Sequence, residues 1–401
     1  MLIKSAHIQH YRSLSDIRLE DLGSLTLLVG SNAVGKSNIV DAFRFMRDMV
    51  VDGLDHAISS RGGIEVIRQY SPTRPFNVGI RIEFEQNFES FGVRNSFYEI
   101  KIASLEGGNY RVEKEDAQWY EEEGRFVKPG TEQEQWVQDD VSITYLSRDS
   151  KGKVNLKGEE PLARPWREDE TVLRAPVFDY TNPVSSLLSG QRFSALYPNT
   201  LRSPSRPDTD KRLKESGENW ASVLKSLRAT PRGRQAWQSI LELMQRVIPN
   251  LQDVKVSGVG GYLVPQFVFR DSPNRKEHSF DPVQLSDGTL RIFGLLLGLY
   301  QVPPPRLFAI EEPEQTVHPG VLAVLADAFR EVSKRTQLLI TTHSPYLVDH
   351  FDPEQVRIVT MSAGETRVGR ISPTQVESVK EHLVTLQELI AQDNLQLEES
   401  E

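Results

Sequence analysis

Gly30-Ser31-Asn32-Ala33-Val34-Gly35-Lys36-Ser37 is the stretch on which the reading of this 401-residue chain turns. It fits G-x-x-x-x-G-K-[ST] at every fixed position. Each fixed position has a physical purpose. The glycines let the backbone wrap closely around a phosphate. The loop amides and the start of the following helix supply partial positive charge. Lys36 is suited to neutralise β- and γ-phosphate oxygens, and the Ser37 hydroxyl to bind Mg²⁺. The flanks agree. Residues 24–29 are an apolar run that reads as a buried strand, and residues 37–50 place Ile39, Phe43, Met46 and Met49 or Val50 on one helical face. A glycine-rich turn with no ligand is the plainer alternative, but it leaves this strand–loop–helix context unexplained.

Three further segments carry chemistry. Leu307-Phe308-Ala309-Ile310-Glu311-Glu312-Pro313-Glu314 is an apolar strand ending in acids. Beside a phosphate loop that is a Walker B arrangement: Glu311 is assigned to the metal and Glu312 to the attacking water. Leu285-Ser286-Asp287-Gly288-Thr289 opens a helix, and Ser286 or Asp287 is suited to cap it. Leu338-Leu339-Ile340-Thr341-Thr342-His343-Ser344-Pro345 is a buried strand that delivers His343 into a loop.

Composition narrows the class. Charged residues make up 26% and hydrophobic residues 38%, so the chain can build a core. A net charge of −9 excludes a protein that coats nucleic acid by bulk charge. With no cysteine there is no thiol nucleophile, disulfide or cysteine-ligated metal. The N-terminal residues have no signal-peptide core, and the apolar run Ile292–Tyr300 is too short to span a bilayer. A cytoplasmic protein with no membrane segment is expected.

Along the chain, residues 76–103 alternate and read as antiparallel strands. Polar, acidic residues 113–170 read as loops and strand edges, and 200–218 as an exposed loop. Residues 219–248 read as helix broken near Pro231, and 392–401 as a frayed acidic tail. The fold class expected is α/β. It would be a head with a mixed central sheet flanked by helices, an antiparallel β lobe and an inserted, mainly helical lobe. The boundaries expected are 1–180 for the first half of the head with the phosphate loop and β lobe, 181–280 for the inserted lobe, 281–391 for the second half, and 392–401 for the tail.

The order of these segments resembles the P-loop ABC-type ATPase head, in the branch shared by SMC, RecF and OLD-like proteins. The carriers are Gly35–Ala42, His10-Tyr11-Arg12-Ser13, Leu285–Arg291, Glu311–Pro319 and Thr341–Pro345, with Glu311 and Glu312 lying 25 and 26 residues after Ser286. They cover residues 1–85 and 280–362. The resemblance implies an ATPase that uses ATP and Mg²⁺ and forms an ATP-dependent homodimer with two nucleotides sandwiched between protomers. It implies a nucleotide site of Gly30, Ser31, Asn32, Ala33, Val34, Gly35, Lys36, Ser37, Asn38 and Arg12, completed in trans by Ser286, Gly288 and Thr289. It implies catalytic roles for Lys36, Glu312 and His343, the last at the γ-phosphate, and places Ser37, Glu311 and Gln69 at the metal. Two departures stand out. Glu311 occupies a position where most such proteins have Asp, and the signature lacks the transporter form.

From Ser189 to Arg234 ten Lys and Arg face four acids, with Phe193, Tyr197 and Trp220 interleaved. That composition reads as a DNA surface or as an ordinary solvated lobe. The 215 residues between Gln69 and Leu285 hold no sustained heptads, so long coiled-coil arms are not expected. The 58 residues after His343 are too few for a Toprim nuclease, so any nuclease effector is expected in trans. The function expected is an ATP-driven switch in DNA maintenance or defence against foreign DNA. The alternative is a sensor or scaffold that holds an effector and hydrolyses little.

Overall fold

Leu25–Val29 is buried at all five positions, because a central parallel strand must satisfy apolar neighbours on both faces. The computed structural model that contains it describes residues 1–72, 75–127, 135–157, 166–174, 182–270, 276–392 and 394–398. The first part of the chain forms β1 (Leu2–Tyr11), β2 (Leu14–Leu19), β3 (Leu25–Val29), α1 (Lys36–Val51), α2 (Leu54–Ser59) and α3 (Ile64–Ile67). There follow β4 (Val78–Phe88), β5 (Gly92–Ser104), β6 (Tyr110–Val127), β7 (Gln135–Arg148) and β8 (Val154–Lys157). The middle holds α4 (Pro183–Ser189), β9 (Gln191–Ser194), α5 (Pro198–Arg202), α6 (Trp220–Arg228), α7 (Pro231–Val247), β10 (Leu251–Val259), β11 (Tyr262–Phe269) and β12 (His278–Phe280). The last part forms α8 (Asp287–Leu299), β13 (Leu307–Glu311), α9 (Leu322–Val332), β14 (Gln337–Thr342), α10 (Pro345–Val348), β15 (Val356–Ser362), β16 (Glu365–Gly369), α11 (Pro373–Lys380) and α12 (Leu386–Ala391).

The chain divides into two compact units. One comprises Met1–Gly23, Asn32–Gln191 and Val359–Gly369, and the other Ser24–Ser31, Arg192–Ile358 and Arg370–Glu401. The first unit is built on an antiparallel sheet in the order β2-β1-β4-β5-β6-β7-β8. β4 and β5 pair from Val78↔Ile102 to Phe88↔Gly92, which is the alternating segment read from the sequence. The loops and strand edges expected over 113–170 are corrected where those residues are described; 128–134 and 158–165 lie outside the described residues. β6 and β7 are long paired strands whose acidic residues Glu121–Glu123 stand on the exposed end of the sheet, where charge stays solvated.

The second unit carries the parallel strands. β15, β3, β14 and β13 lie side by side in that order, with β9 beyond β13. The register is continuous across the row. Val29 pairs with Thr342 and Ile358, and Glu311 pairs with Thr341. α8 is buried from Leu290 to Leu299, so it is apolar nearly all round. Residues 181–280 carry α4–α7 together with an antiparallel three-stranded sheet, β10-β11-β12. The helical stretch 219–248 breaks at Ala229 and Thr230. Thr230 caps the new helix by accepting from Gly233 N, and Pro231 sits at its first position, where a missing N–H costs nothing. The tail is tied down rather than frayed over the described part. Ser372 N donates to Gln396 O, Glu398 N donates to Arg370 O, and Ile371 bridges Leu397. Residues 399–401 lie outside the described residues.

Candidate functional site

Parallel strands end together, and their carboxyl ends are where an α/β sheet presents loops to a ligand. In the second unit this edge is formed by Val29, Glu311 and Thr342 in adjacent strands. Gly30 opens the phosphate loop there, Glu312 follows β13, and His343 follows β14. The register thus brings to one sheet edge the start of the phosphate loop, the acidic strand end and the histidine, which lie far apart in sequence.

The turn after β13 is tightly held. Glu312 has φ of 44°, a left-handed conformation that a non-glycine residue adopts only when its surroundings enforce it. Its N–H donates to Thr341 O at 2.9 Å, and its carbonyl accepts from Arg291 Nη2 at 3.0 Å. Its carboxylate accepts from Gln315 and lies 3.5 Å from His343 Nδ1. Glu314 Oε1 accepts from Thr342 Oγ1 at 2.6 Å and from His343 N at 3.1 Å, and lies 3.6 Å from His343 Nδ1. The His343 ring is therefore flanked by two carboxylates.

The signature segment also belongs to the second unit. Ser286 caps α8: its hydroxyl accepts from Thr289 N at 3.2 Å and donates to Thr289 Oγ1 at 2.9 Å. The capping reading holds, and Ser286 and Asp287 remain exposed. Gly288 is required by packing, because a Cβ there would stand 2.5 Å from the carbonyl oxygen of Thr316, in the loop after β13. Arg202 reaches back to this segment, donating to Leu285 O and pairing with Asp287.

Asn32 to Asn38 belong to the first unit. Ala33 has φ of 64° and Gly35 φ of 105°, so the loop turns through left-handed residues on its way into α1. Two side chains brace it. Thr366 Oγ1 donates to Val34 O at 2.9 Å and is bonded to Ser13 Oγ at 2.9 Å, and Asn38 Nδ2 donates to Ser13 Oγ at 2.8 Å. Lys36 is only 5% exposed, and Ser37 is exposed. Arg12 is ion-paired to Asp41 on α1 at 3.0 Å, beside Arg61 and Tyr11, whose hydroxyl donates to Asp41 at 2.6 Å. Burial alone would raise the Asp41 carboxyl. Arg61, the Tyr11 hydrogen bond and Arg12 outweigh it and hold the group below the usual aspartate value. Gln69 spends its amide within the unit, donating to Ser15 Oγ at 2.6 Å and meeting His10 Nδ1 at 3.0 Å.

The donor chemistry fits Mg²⁺. Each unit taken by itself offers a hard oxygen donor: the exposed Ser37 hydroxyl in the first, and the Glu311 carboxylate at a strand end in the second. Among the described residues no group of three acids or histidines could hold a metal by itself. Mg²⁺ needs no such group, because it keeps water and takes one or two protein oxygens beside substrate phosphates.

Several participants went unnoticed in the sequence. Arg291 is buried on α8 and donates to the carbonyls of Leu196, Glu311 and Glu312. Burial pushes its guanidinium pKa down, against the opposing charges of Glu314 and Glu312. Its signal was available: it is the one cation in the otherwise apolar run Leu290–Leu299. Glu314 and Asp41 were quoted without roles, and nothing in sequence marked Thr366. In the basic stretch, Lys214 pairs with Asp208 and Glu218, and Arg228 with Asp253. Arg206, Lys211, Arg212, Lys225, Arg232 and Arg234 stand exposed.

Comparison with known proteins bears on this geometry. No protein of curated function matches the chain. Among solved structures, an SMC head bound to the C-winged helix domain of ScpA aligns over 94% of this chain and 100% of its own, at 14% identity and TM-score 0.56. An SMC head with an extended coiled coil, bound to the C-terminal domain of ScpA and derived from Pyrococcus furiosus, aligns over 95% of this chain and 99% of its own, at 13% identity and TM-score 0.54. These likenesses establish the fold, that of an SMC head domain. No helix among the described residues is long and apolar enough to cross a membrane. A family model described as "AAA domain, putative AbiEii toxin, Type IV TA system" matches residues 25–134 and 190–349, which is most of the chain; the chain therefore belongs to that family of AAA ATPase domains.

Proposed function

We propose that this chain binds ATP with Mg²⁺ through Gly30–Asn38, dimerises upon it, and hydrolyses it slowly as a switch in DNA maintenance or defence against foreign DNA. The observation that carries the reading is the shared sheet edge, where the phosphate loop begins beside Glu311, Glu312 and His343. In this reading Lys36 neutralises phosphate charge and the loop amides hold the phosphates. Glu312 accepts a proton from the attacking water and His343 contacts the γ-phosphate. Ser37 and Glu311 hold the metal, which when bound neutralises charge on the phosphates. Ser286, Gly288 and Thr289, presented at the start of α8, complete the partner protomer's site.

The family's description names a putative toxin of a toxin–antitoxin system, which favours the defence arm. The exposed cations from Arg206 to Arg234 favour a DNA trigger. A second reading, a scaffold for a protein effector such as a nuclease in trans, is favoured by the two related heads, both of which carry a bound domain of another protein. The test is ATP turnover with and without DNA, beside Glu312→Gln. A hydrolytic switch loses at least about 100-fold of its turnover in the variant while still binding ATP. DNA stimulation in the wild type selects the first reading. Turnover that is indifferent to DNA, or absent in the wild type, selects the scaffold.

A further inference from the structure

Glu314 has no role in the reading above, yet its surroundings single it out. Its side chain is only 8% exposed. One oxygen, Oε1, accepts from two consecutive residues where β14 gives way to its loop: the Thr342 hydroxyl at 2.6 Å and the His343 amide at 3.1 Å. The other, Oε2, is buried with no hydrogen-bond partner among the described residues. A buried, half-satisfied carboxylate costs stability. An apolar side chain of similar volume would fill the same space without that cost. What the carboxylate alone supplies is a fixed acceptor for the donors that set where His343 begins.

The same turn is gripped from the other side. Arg291 on α8 donates to Glu312 O at 3.0 Å and Glu311 O at 3.4 Å, while its Nη1 holds Leu196 O at 2.7 Å. A continuous set of hydrogen bonds therefore runs from the signature helix through Arg291 to the Glu311–Glu314 turn, and from Glu314 to Thr342 and His343. Both carboxylates that flank the imidazole come from that one turn, at 3.5 and 3.6 Å. Loss of the Glu314 acceptor would free the His343 loop while leaving the phosphate loop untouched.

We infer that Glu314 is a positioning residue for hydrolysis: by accepting from Thr342 and His343 it fixes the imidazole beside Glu312, and Arg291 ties that arrangement to the signature helix. This rests on the ATPase reading above. It concerns hydrolysis and not nucleotide binding, so the expected signature is a fall in kcat at nearly constant KM.

The experiment is steady-state ATP turnover of the full chain as wild type, Glu314→Gln, Glu314→Leu and Thr342→Val, each also combined with His343→Ala. Affinity for a fluorescent ATP analogue is measured on the same samples. Glu314→Gln keeps an acceptor oxygen and should retain kcat within about threefold. Glu314→Leu removes the acceptor and should lose about tenfold or more, the loss of a charge-assisted hydrogen bond. In the His343→Ala background the Leu substitution should change kcat by less than about twofold, because both act through one imidazole. If Glu314→Leu fails to fold, Thr342→Val decides by the same criteria from the donor side. Wild-type kcat in the Leu variant overturns the proposal, as does Gln as slow as Leu, or losses that multiply with His343→Ala. A wild-type chain that hydrolyses no ATP overturns the ATPase reading as well, which distinguishes the two failures.

Discussion

Gly35→Ala tests the packing of the phosphate loop before any chemistry is involved. Two penalties add at this residue. Its φ of 105° is a conformation that costs an L-residue about 1–2 kcal/mol. A Cβ built there would overlap Thr366 Oγ1, and would lie 2.9 Å from Thr366 Cγ2 and 3.1 Å from Ser13 Oγ. Apolar atoms rest at about 3.5–4.0 Å, so Thr366 must move, and forced overpacking of this kind costs about 1–3 kcal/mol. Moving Thr366 also breaks its bond to Val34 O. The sum is about 2–5 kcal/mol, a large share of a stability of about 5–15 kcal/mol. Urea unfolding monitored by hydrogen exchange in α1 measures it where it acts. The steric part has its own control. In a Thr366→Ala background the overlap with Thr366 is gone and only the Ser13 contact remains, so Gly35→Ala should cost little more than the backbone part, about 1–2 kcal/mol. A loss below about 1 kcal/mol in the single variant would refute the reasoning, and so would a double variant whose losses simply add.

The remaining predictions concern the site. Lys36→Ala should weaken ATP binding by up to about 100-fold, since a buried cation bonded to phosphate is worth up to about 3 kcal/mol; titration with a fluorescent analogue reads it directly. Ser286→Arg should leave monomer affinity for ATP intact and abolish ATP-dependent dimerisation in light scattering, with about 1 kcal/mol of stability lost through the α8 cap; Ser286→Thr keeps the cap and should keep the dimer. Asp41→Asn should destabilise the chain by about 3 kcal/mol near neutral pH, because it takes from Arg12 and Arg61 the carboxylate they share and leaves Arg61 only Asp48. The sign with pH follows from the depressed folded value of Asp41. Its contribution is present above the unfolded value near 4 and is lost as pH falls through the folded one, so wild type and variant should converge on acidification.

Much of the fold was legible because its signals are local. Val29 and Thr342 end runs of apolar residues long enough to be central strands, and the glycines and Lys36 of the phosphate loop stand at fixed intervals. The family followed from the order and spacing of four such segments. What went unread depends on contacts across long intervals. Within 113–170, read as loops and strand edges, the charged run Glu121–Glu123 masks the alternation of β6, and only pairing with β7 makes it strand. The tail looked frayed because nothing in 392–401 announces the backbone of 370–372 to which it bonds.

The site divides in the same way. The sequence by itself determined the nucleotide loop, the acidic strand end and the histidine, because each needs particular residue types at short spacing, and that requirement is written in a single segment. The tertiary structure alone decided which residues hold those groups in place. Thr366 stands 332 residues beyond Val34, Arg291 grips carbonyls 20 and 21 residues on, and Glu314 bonds His343 across 29. A hydrogen bond recognises distance and angle and is indifferent to separation along the chain, so these partners become visible only once the strands are in register.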